Sequence, residues 1–236
     1  MKTLAIDSSL PAGSVAALTP EGISAELLPE AGTHARRIAA ALRDLAHQRG
    51  FRPGEAELVA VVRGPGSFTG LRVGVATAKA LAWASGAKLC GLSGFELIAR
   101  RTSRETGFAG HPIHVAYDAG RGELFAAEVV PDSDAPGGWL ARAGVLIPAA
   151  VWLAGLPSGA RVSGPGLGMP GPLAIGMTDR PDLLIAPREV WSPSAAEAGA
   201  VALLRAAAGQ VDDPATLIPE YLRASYAQEN DPRPAG

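Results

Sequence analysis

The stretch Gly64-Pro65-Gly66-Ser67-Phe68-Thr69-Gly70-Leu71-Arg72 decides how this chain is read. Before it stands a short apolar run, Leu58-Val59-Ala60-Val61-Val62, which is continuous, β-branched and of strand length. After it, Leu71 to Ser85 reads as a helix, with Thr69 as the expected N-cap. Glycines at 64, 66 and 70 let the backbone turn sharply and let a ligand or another backbone come close. Free N–H groups at a helix start can also face an anion. The loop is therefore either a phosphate cradle or a tight turn that packs a strand on a helix.

The common phosphate loops do not fit. A Walker A loop needs Gly-Lys-Ser/Thr, and here Gly70 is followed by Leu71 and Arg72. A dinucleotide fingerprint needs G-x-G-x-x-G, and here the third glycine arrives one residue late. The helix carries a further pattern: Gly70, Gly74, Ala78 and Ala82 recur at helical spacing and form a smooth face of small residues. Such a face lets a second helix approach closely, which suits packing or dimerisation better than catalysis.

The 236 residues suffice for one large domain or two lobes, and 47% of them are hydrophobic, enough for a sizeable core. A net charge of −2 with no long basic run argues against a protein that grips nucleic acid alone. Cys90 is the only cysteine, so no disulfide can form within the chain, which fits a reducing compartment. The opening apolar run is too short for a signal peptide and ends at Asp7, and no segment reaches the roughly 18 apolar residues of a membrane span. The expected location is the cytoplasm.

The two halves of the chain echo each other. A strand Leu4-Ala5-Ile6 ends in Asp7-Ser8-Ser9 and is followed by strands at Ser14 to Leu18 and Ile23 to Leu28. A helix from Thr33 to Gln48, with Ile38, Leu42 and Leu45 on one stripe, leads to the strand at Leu58 and the glycine loop. In the second half, a strand at Ile113 to Tyr117 ends in Asp118-Ala119-Gly120, and strands at Glu123 to Val129 and Gly144 to Ile147 follow. A short helix then leads to Arg161-Val162-Ser163 and a second glycine loop, Gly164 to Gly168; a late strand at Asp182 to Ile185 and a helix from Ser194 to Ala208 complete it. Two related α/β lobes with mixed sheets explain this pattern better than a barrel. The expected division is 1–105 and 106–223, with a mobile tail at 224–236.

A carboxylate at a strand end beside a small-residue turn occurs once per lobe. Asp7 and Asp118 can face each other across a cleft and hold a metal through water. Alternatively each carboxylate caps its own turn through backbone N–H groups, as Asp does routinely.

The run from Arg63 to Lys79 strongly resembles the bacterial tRNA threonylcarbamoyladenosine biosynthesis proteins of the TsaB family. So do Ala5-Ile6-Asp7-Ser8-Ser9, Asp118 to Leu124 and Pro219-Glu220-Tyr221-Leu222-Arg223, so the likeness spans nearly the whole chain. The resemblance implies an actin/Hsp70-like (ASKHA) fold of two ribonuclease-H-like lobes, mixed sheets flanked by helices. It further implies a non-catalytic scaffold that uses no cofactor and is a homodimer when alone. Its partners would be a catalytic paralogue with an H-x-x-x-H metal site and a small ATPase, with tRNA met only through the complex. Pairing would run through first-lobe helices, placing His34, Ile38, Gly70, Arg72, Gly74, Ala78 and Ala82 at the interface. Asp7, Ser8 and Asp118 would mark a remnant nucleotide cleft.

The histidines agree with a chain that lacks the catalytic metal. Two His one helical turn apart share a metal, but four residues after His34 stands Ile38. His47 is too far along the helix, and His111 and His114 are three apart at a strand and point to opposite faces. The competing expectation is an active ASKHA phospho- or acyltransferase with Asp7 and Asp118 around magnesium-nucleotide.

Overall fold

The computed structural model describes residues 1–28, 34–170 and 176–223. Two mixed sheets, each flanked by helices, form two lobes of the ASKHA type. The expected tail at 224–236 lies outside the described residues.

The first sheet is built from β1 (Thr3–Asp7), β2 (Gly13–Thr19), β3 (Gly22–Leu28), β4 (Leu58–Gly64) and β5 (Lys88–Ser93). Its order is β3-β2-β1-β4-β5. β1 pairs antiparallel with β2, with Ala5 opposite Ala16, and parallel with β4, with Ala5 opposite Ala60. β1 and β4 are central strands buried on both faces, which is why they read as continuous apolar runs rather than alternating ones. Helices α1 (His34–Gln48) and α2 (Phe68–Ser85) cover one face of this sheet. Ile38, Leu42 and Leu45 of α1 pack there with Leu4, Ile6, Val59, Val61 and with Val75, Ala78 and Ala82 of α2.

The second sheet holds β6 (Ile113–Gly120), β7 (Glu123–Pro131), β8 (Trp139–Ala141), β9 (Val145–Pro148), β10 (Arg161–Ser163) and β11 (Leu184–Ile185). Its order is β11-β10-β6-β7-β8, with β9 also paired to β7. The antiparallel β6–β7 hairpin and the parallel β6–β10 pair repeat the first sheet's β1–β2 and β1–β4 pairs. Between β9 and β10 lies the short helix α4 (Ala149–Gly155).

Two helices cross between the lobes. α3 (Gly94–Glu105) follows the first sheet in sequence, yet its Phe95, Ile98 and Ala99 pack with Ile113, Val115, Tyr117, Ala127 and Val129 of the second. α5 (Ala195–Ala207) follows the second sheet, yet its Ala198, Val201 and Ala202 pack on Ala5, Ala16, Ala60 and Val62 of the first. Where the two helices meet, the buried Glu197 carboxylate of α5 takes Arg100 at 2.6 Å and Arg104 at 2.7 Å, both from α3. Arg205 of α5 returns the contact with Glu96 of α3 at 2.8 Å.

The chain then turns back over the first lobe. The Asp212 N–H donates to the Leu89 carbonyl at 2.8 Å, and the Leu217 side chain joins the core beneath α2. Glu220 N–H donates to the Arg63 carbonyl at 2.7 Å. Residues 212–223 thus form a strap that ends at the mouth of the gap between the lobes.

Candidate functional site: the interlobe cleft

The turn after β1 is fastened onto the start of α2. Asp7 is 1% exposed, and its Oδ1 accepts the Ser9 N–H at 3.0 Å and the Ser9 hydroxyl at 2.6 Å. The Ser8 hydroxyl, also buried, donates to the Gly70 carbonyl at 2.8 Å. The Ser9 carbonyl accepts the Ser67 N–H at 2.7 Å. This close approach explains the glycines. A Cβ at Gly70 would collide with the Ser8 carbonyl oxygen, one at Gly74 with the Ser8 hydroxyl, and one at Gly66 with the Ser9 carbonyl oxygen. The loop is a strand-to-helix turn pressed against a second backbone. Ser67, not Thr69, caps the helix, with its oxygen accepting the Gly70 N–H at 3.4 Å, so α2 begins at Phe68 rather than Leu71.

The stripe expected to pair with a partner is turned inward. Ala78 and Ala82 are 0% and 1% exposed, and Gly70 and Gly74 are buried against β1 and its turn. Ile38 is buried in the same core. Small residues at this spacing serve α2's seat on its own sheet, so the assignment of Gly70, Gly74, Ala78, Ala82 and Ile38 to an exposed interface is corrected. Of the expected interface residues Arg72 is exposed, and the His34 side chain lies outside the described ones. The outer face of α2 carries Arg72, Ala76, Ala80 and Trp83 instead, and Trp83 is 87% exposed.

Between the lobes lies a cavity of about 740 Å³. Ser9, Leu10 and Phe68 line it from the first lobe, Tyr117, Asp118, Arg121 and Phe125 from the second, and Tyr221 to Arg223 from the strap. Of the three residues expected at a nucleotide cleft, Asp118 borders it, whereas Asp7 and Ser8 lie behind the turn and are not among its walls. Asp118 Oδ1 accepts the Gly120 N–H at 2.7 Å, closing the β6–β7 turn as a side-chain cap. Among the described residues no group of three or more His, Cys, Asp or Glu side chains could hold a metal ion.

Two features of the walls were not legible in the sequence. One is an aromatic–cation stack on the first-lobe side. Arg72 lies 3.8 Å over the Phe68 ring, Phe68 and Tyr221 are 5.1 Å apart, and Arg72 Nε donates to the Tyr221 hydroxyl at 2.9 Å. Both rings remain open, at 44% and 41% exposure. The other is the hairpin tip opposite. Gly120, Arg121 and Gly122 all have left-handed backbones, with φ of 73°, 57° and 78°. Holding a non-glycine residue there costs about 1 kcal/mol, and Arg121 has no ion-pair partner among the described residues. Arg223, by contrast, is engaged, donating to Glu123 at 2.6 Å and to the Ala119 carbonyl at 3.1 Å.

At the cleft wall, Tyr117 is buried edge-on to Phe95, and its hydroxyl has no hydrogen-bond partner among the described residues. Burial, reinforced by the negative charges of Asp7 and Glu220, pushes its pKa well above the ordinary value, so the phenol stays protonated.

Comparisons with known proteins agree with this architecture. Residues 27–135 match the family model described as TsaD, tRNA N6-adenosine threonylcarbamoyltransferase. A Bacillus subtilis protein named tRNA threonylcarbamoyladenosine biosynthesis protein TsaB is 30% identical over 145 residues, covering 57% of this chain and 62% of the relative. The Escherichia coli protein of the same name is 33% identical over 136 residues, 57% of each chain. The matched part thus spans about six-tenths of the length of these curated relatives. Among solved structures, YeaZ from Pseudomonas aeruginosa superimposes with a TM-score of 0.76 at 25% identity, over 94% of this chain and 99% of that one.

Proposed function

We propose that this chain, which belongs with the TsaB proteins, is a non-catalytic scaffold and dimerisation subunit in tRNA threonylcarbamoyladenosine biosynthesis. The observation that carries the reading is the fastened turn. In an active phosphotransferase or acyltransferase of this shape, the β1 carboxylate and its neighbouring hydroxyls would face substrate. Here the Ser8 hydroxyl and the Ser9 carbonyl hold the start of α2, and Asp7 is buried and bonded to Ser9 within the turn. The second lobe's equivalent, Asp118, holds its own hairpin. What the fold offers outward is a rigid pair of helices.

The catalytic step, transfer of a threonylcarbamoyl group to the adenosine beside the tRNA anticodon, then falls to a paralogue bearing an H-x-x-x-H metal site. A small ATPase joins that pair, and tRNA is met through the complex. Alone, the chain pairs with itself. The docking surface is the outer faces of α1 and α2, including exposed Arg72, Ala76, Ala80 and Trp83. Reconstitution tests this directly. The purified chain, its paralogue, the ATPase, tRNA, threonine, bicarbonate and ATP should yield modified adenosine, and omission of this chain should abolish the yield. Steady ATP turnover or acyl transfer by this chain alone would favour the enzyme reading instead.

A further inference from the structure

A single peptide bond, between Tyr221 and Leu222, carries the strap from one lobe to the other. As far as Tyr221 the strap belongs to the first lobe. Asp212 Oδ2 accepts the Gly91 N–H at 2.8 Å, and the Lys79 ammonium of α2 donates to the Leu217 carbonyl at 3.1 Å. The Leu217 side chain is buried beneath α2, the Glu220 N–H donates to the Arg63 carbonyl, and Arg72 holds the Tyr221 hydroxyl. From Leu222 onward the partners change. Leu222 packs against the cluster that holds Val115, Tyr117 and Val129 of the second sheet. Gly144 leaves the room for it, since a Cβ there would stand 2.9 Å from Leu222 Cδ1. Arg223 donates to Glu123 at 2.6 Å and to the Ala119 carbonyl at 3.1 Å, both in the second lobe.

We infer that residues 220–223 are a clasp that sets the angle between the lobes and can be released at its second-lobe end. The argument is one of reach. Consecutive Cα atoms are about 3.8 Å apart. A chain anchored to one lobe at Tyr221 and to the other at Leu222 therefore has no slack, and the mouth of the cleft cannot widen while both anchors hold. The lobes are also joined where α3 crosses α5, at Glu197, Arg100 and Arg104. None of those three residues borders the cleft, whereas Tyr221, Leu222 and Arg223 all do. The junction is a pivot set away from the cleft, and the strap is a tie across it. Two fastenings at separate places fix an angle that a pivot alone leaves free.

The two ends of the tie are unequally made. The first-lobe end rests on backbone hydrogen bonds and a buried leucine. The second-lobe end is one apolar knob and one ion pair whose side chains are 20% and 30% exposed. Local opening starts where buried contacts are fewest and water already reaches the bonds. Release of Leu222 and Arg223 leaves the first lobe intact and lets the second swing on the α3–α5 junction, as hinged lobes do. The inference concerns the mechanics of the fold and does not depend on the pathway reading.

Spin labels on the full chain test it. In a Cys90→Ala background, Thr69→Cys and Ala150→Cys place one label on each lobe at exposed positions, and pulsed electron resonance reads the distance between them. The parent chain should give one narrow distance. Leu222→Ala combined with Arg223→Ala should move the mean by several ångströms or broaden the distribution at least about twofold. Arg223→Lys keeps a cation for Glu123 and should stay within the parent distribution. So should Tyr221→Phe, because Glu220 and Leu217 still fasten the first-lobe end. Truncation after Arg223 keeps the clasp and should change nothing, whereas truncation after Tyr221 should open the lobes as the double variant does. Thermal melting confirms that each variant is folded. Should the double variant fail to fold, Glu123→Gln cuts the ion pair from the other side and decides the matter by the same broadening. A folded clasp variant with the parent distance would overturn the inference, since the α3–α5 junction alone would then hold the angle. Opening caused by truncation after Arg223 would overturn it too, because the residues beyond the clasp would be setting the angle.

Discussion

The Ser8 hydroxyl occupies the place where a side chain at residue 74 would stand. It donates to the Gly70 carbonyl at 2.8 Å, and a Cβ at Gly74 would collide with its oxygen. One serine on β1's turn therefore dictates two glycines on a helix more than sixty residues away in sequence.

Gly74→Val should consequently fail at the level of folding. The neighbour cannot easily yield, because it is a buried hydroxyl committed to a hydrogen bond. Overpacking of this kind costs about 3 kcal/mol or more. Thermal unfolding should show a melting point lowered by several degrees or a chain that does not express in soluble form. Ser8→Gly combined with Gly74→Ala should recover part of the loss; if it does not, the collision with Ser8 is not the cause.

Partner pairing should respond to the outer face of α2 and not to its small-residue stripe. Ala82→Arg places a charge in the first-lobe core and should give an unfolded or aggregated protein. Trp83→Ala changes an 87% exposed ring and should leave the melting point within about 0.5 kcal/mol of equivalent stability. If the face pairs as proposed, the same change should weaken self-association about tenfold or more, as loss of an interfacial tryptophan does. Light scattering after size exclusion reads both results.

Glu197→Ala should loosen the junction between the lobes. The buried carboxylate serves two arginines, so its removal leaves Arg100 with the Gly137 carbonyl and Arg104 with Glu105 as their remaining acceptors among the described residues. Both arginines reach partial solvent, so the expected loss is about 2 kcal/mol rather than the larger cost of a fully buried pair. Urea denaturation measures it, and Glu197→Gln should recover part of it by keeping one acceptor oxygen for one of the two arginines.

Cys90 should be unreactive and should make stability fall in alkali. Burial, together with the Asp212 carboxylate, raises its thiol from 9.0 to about 11. A thiol whose folded pKa is raised contributes stability that is complete below about 9 and is lost as pH climbs through about 11, because the unfolded chain releases the proton first. Native protein at pH 8 should not react with a disulfide reagent until denaturant is added. The drop in melting point between pH 9 and 11 should be smaller in Cys90→Ala.

Much of the fold was legible because local signals and the fold agreed. β1 and β4 announced themselves as apolar runs, and the repeat of strand, carboxylate and turn foretold two lobes. The small-residue stripe showed less. Spacing reveals that Gly70, Gly74, Ala78 and Ala82 share a face, but not whether that face meets a neighbour in the same chain or in another. Ser8 settles the matter, and its contact with α2 spans too many residues for any window of sequence. Asp7 and Asp118 look alike in sequence for the same reason. One is sealed by Ser9 and the other lies open beside Gly120, a difference made by surroundings and not by motif. The Phe68–Arg72–Tyr221 stack was equally hidden, since Tyr221 reaches it from the far end of the chain.

The crossing of α3 and α5 has a genetic consequence. The two halves repeat the same strand pairings, but each half carries a helix that shields the other's sheet. A gene cut near codon 105 would encode two fragments, each leaving one sheet face bare and neither able to stand by itself. Expressed together, they would find each other as obligate complements, and a swap of one half with that of a distant relative would succeed only if the crossing helix travelled with its cognate sheet.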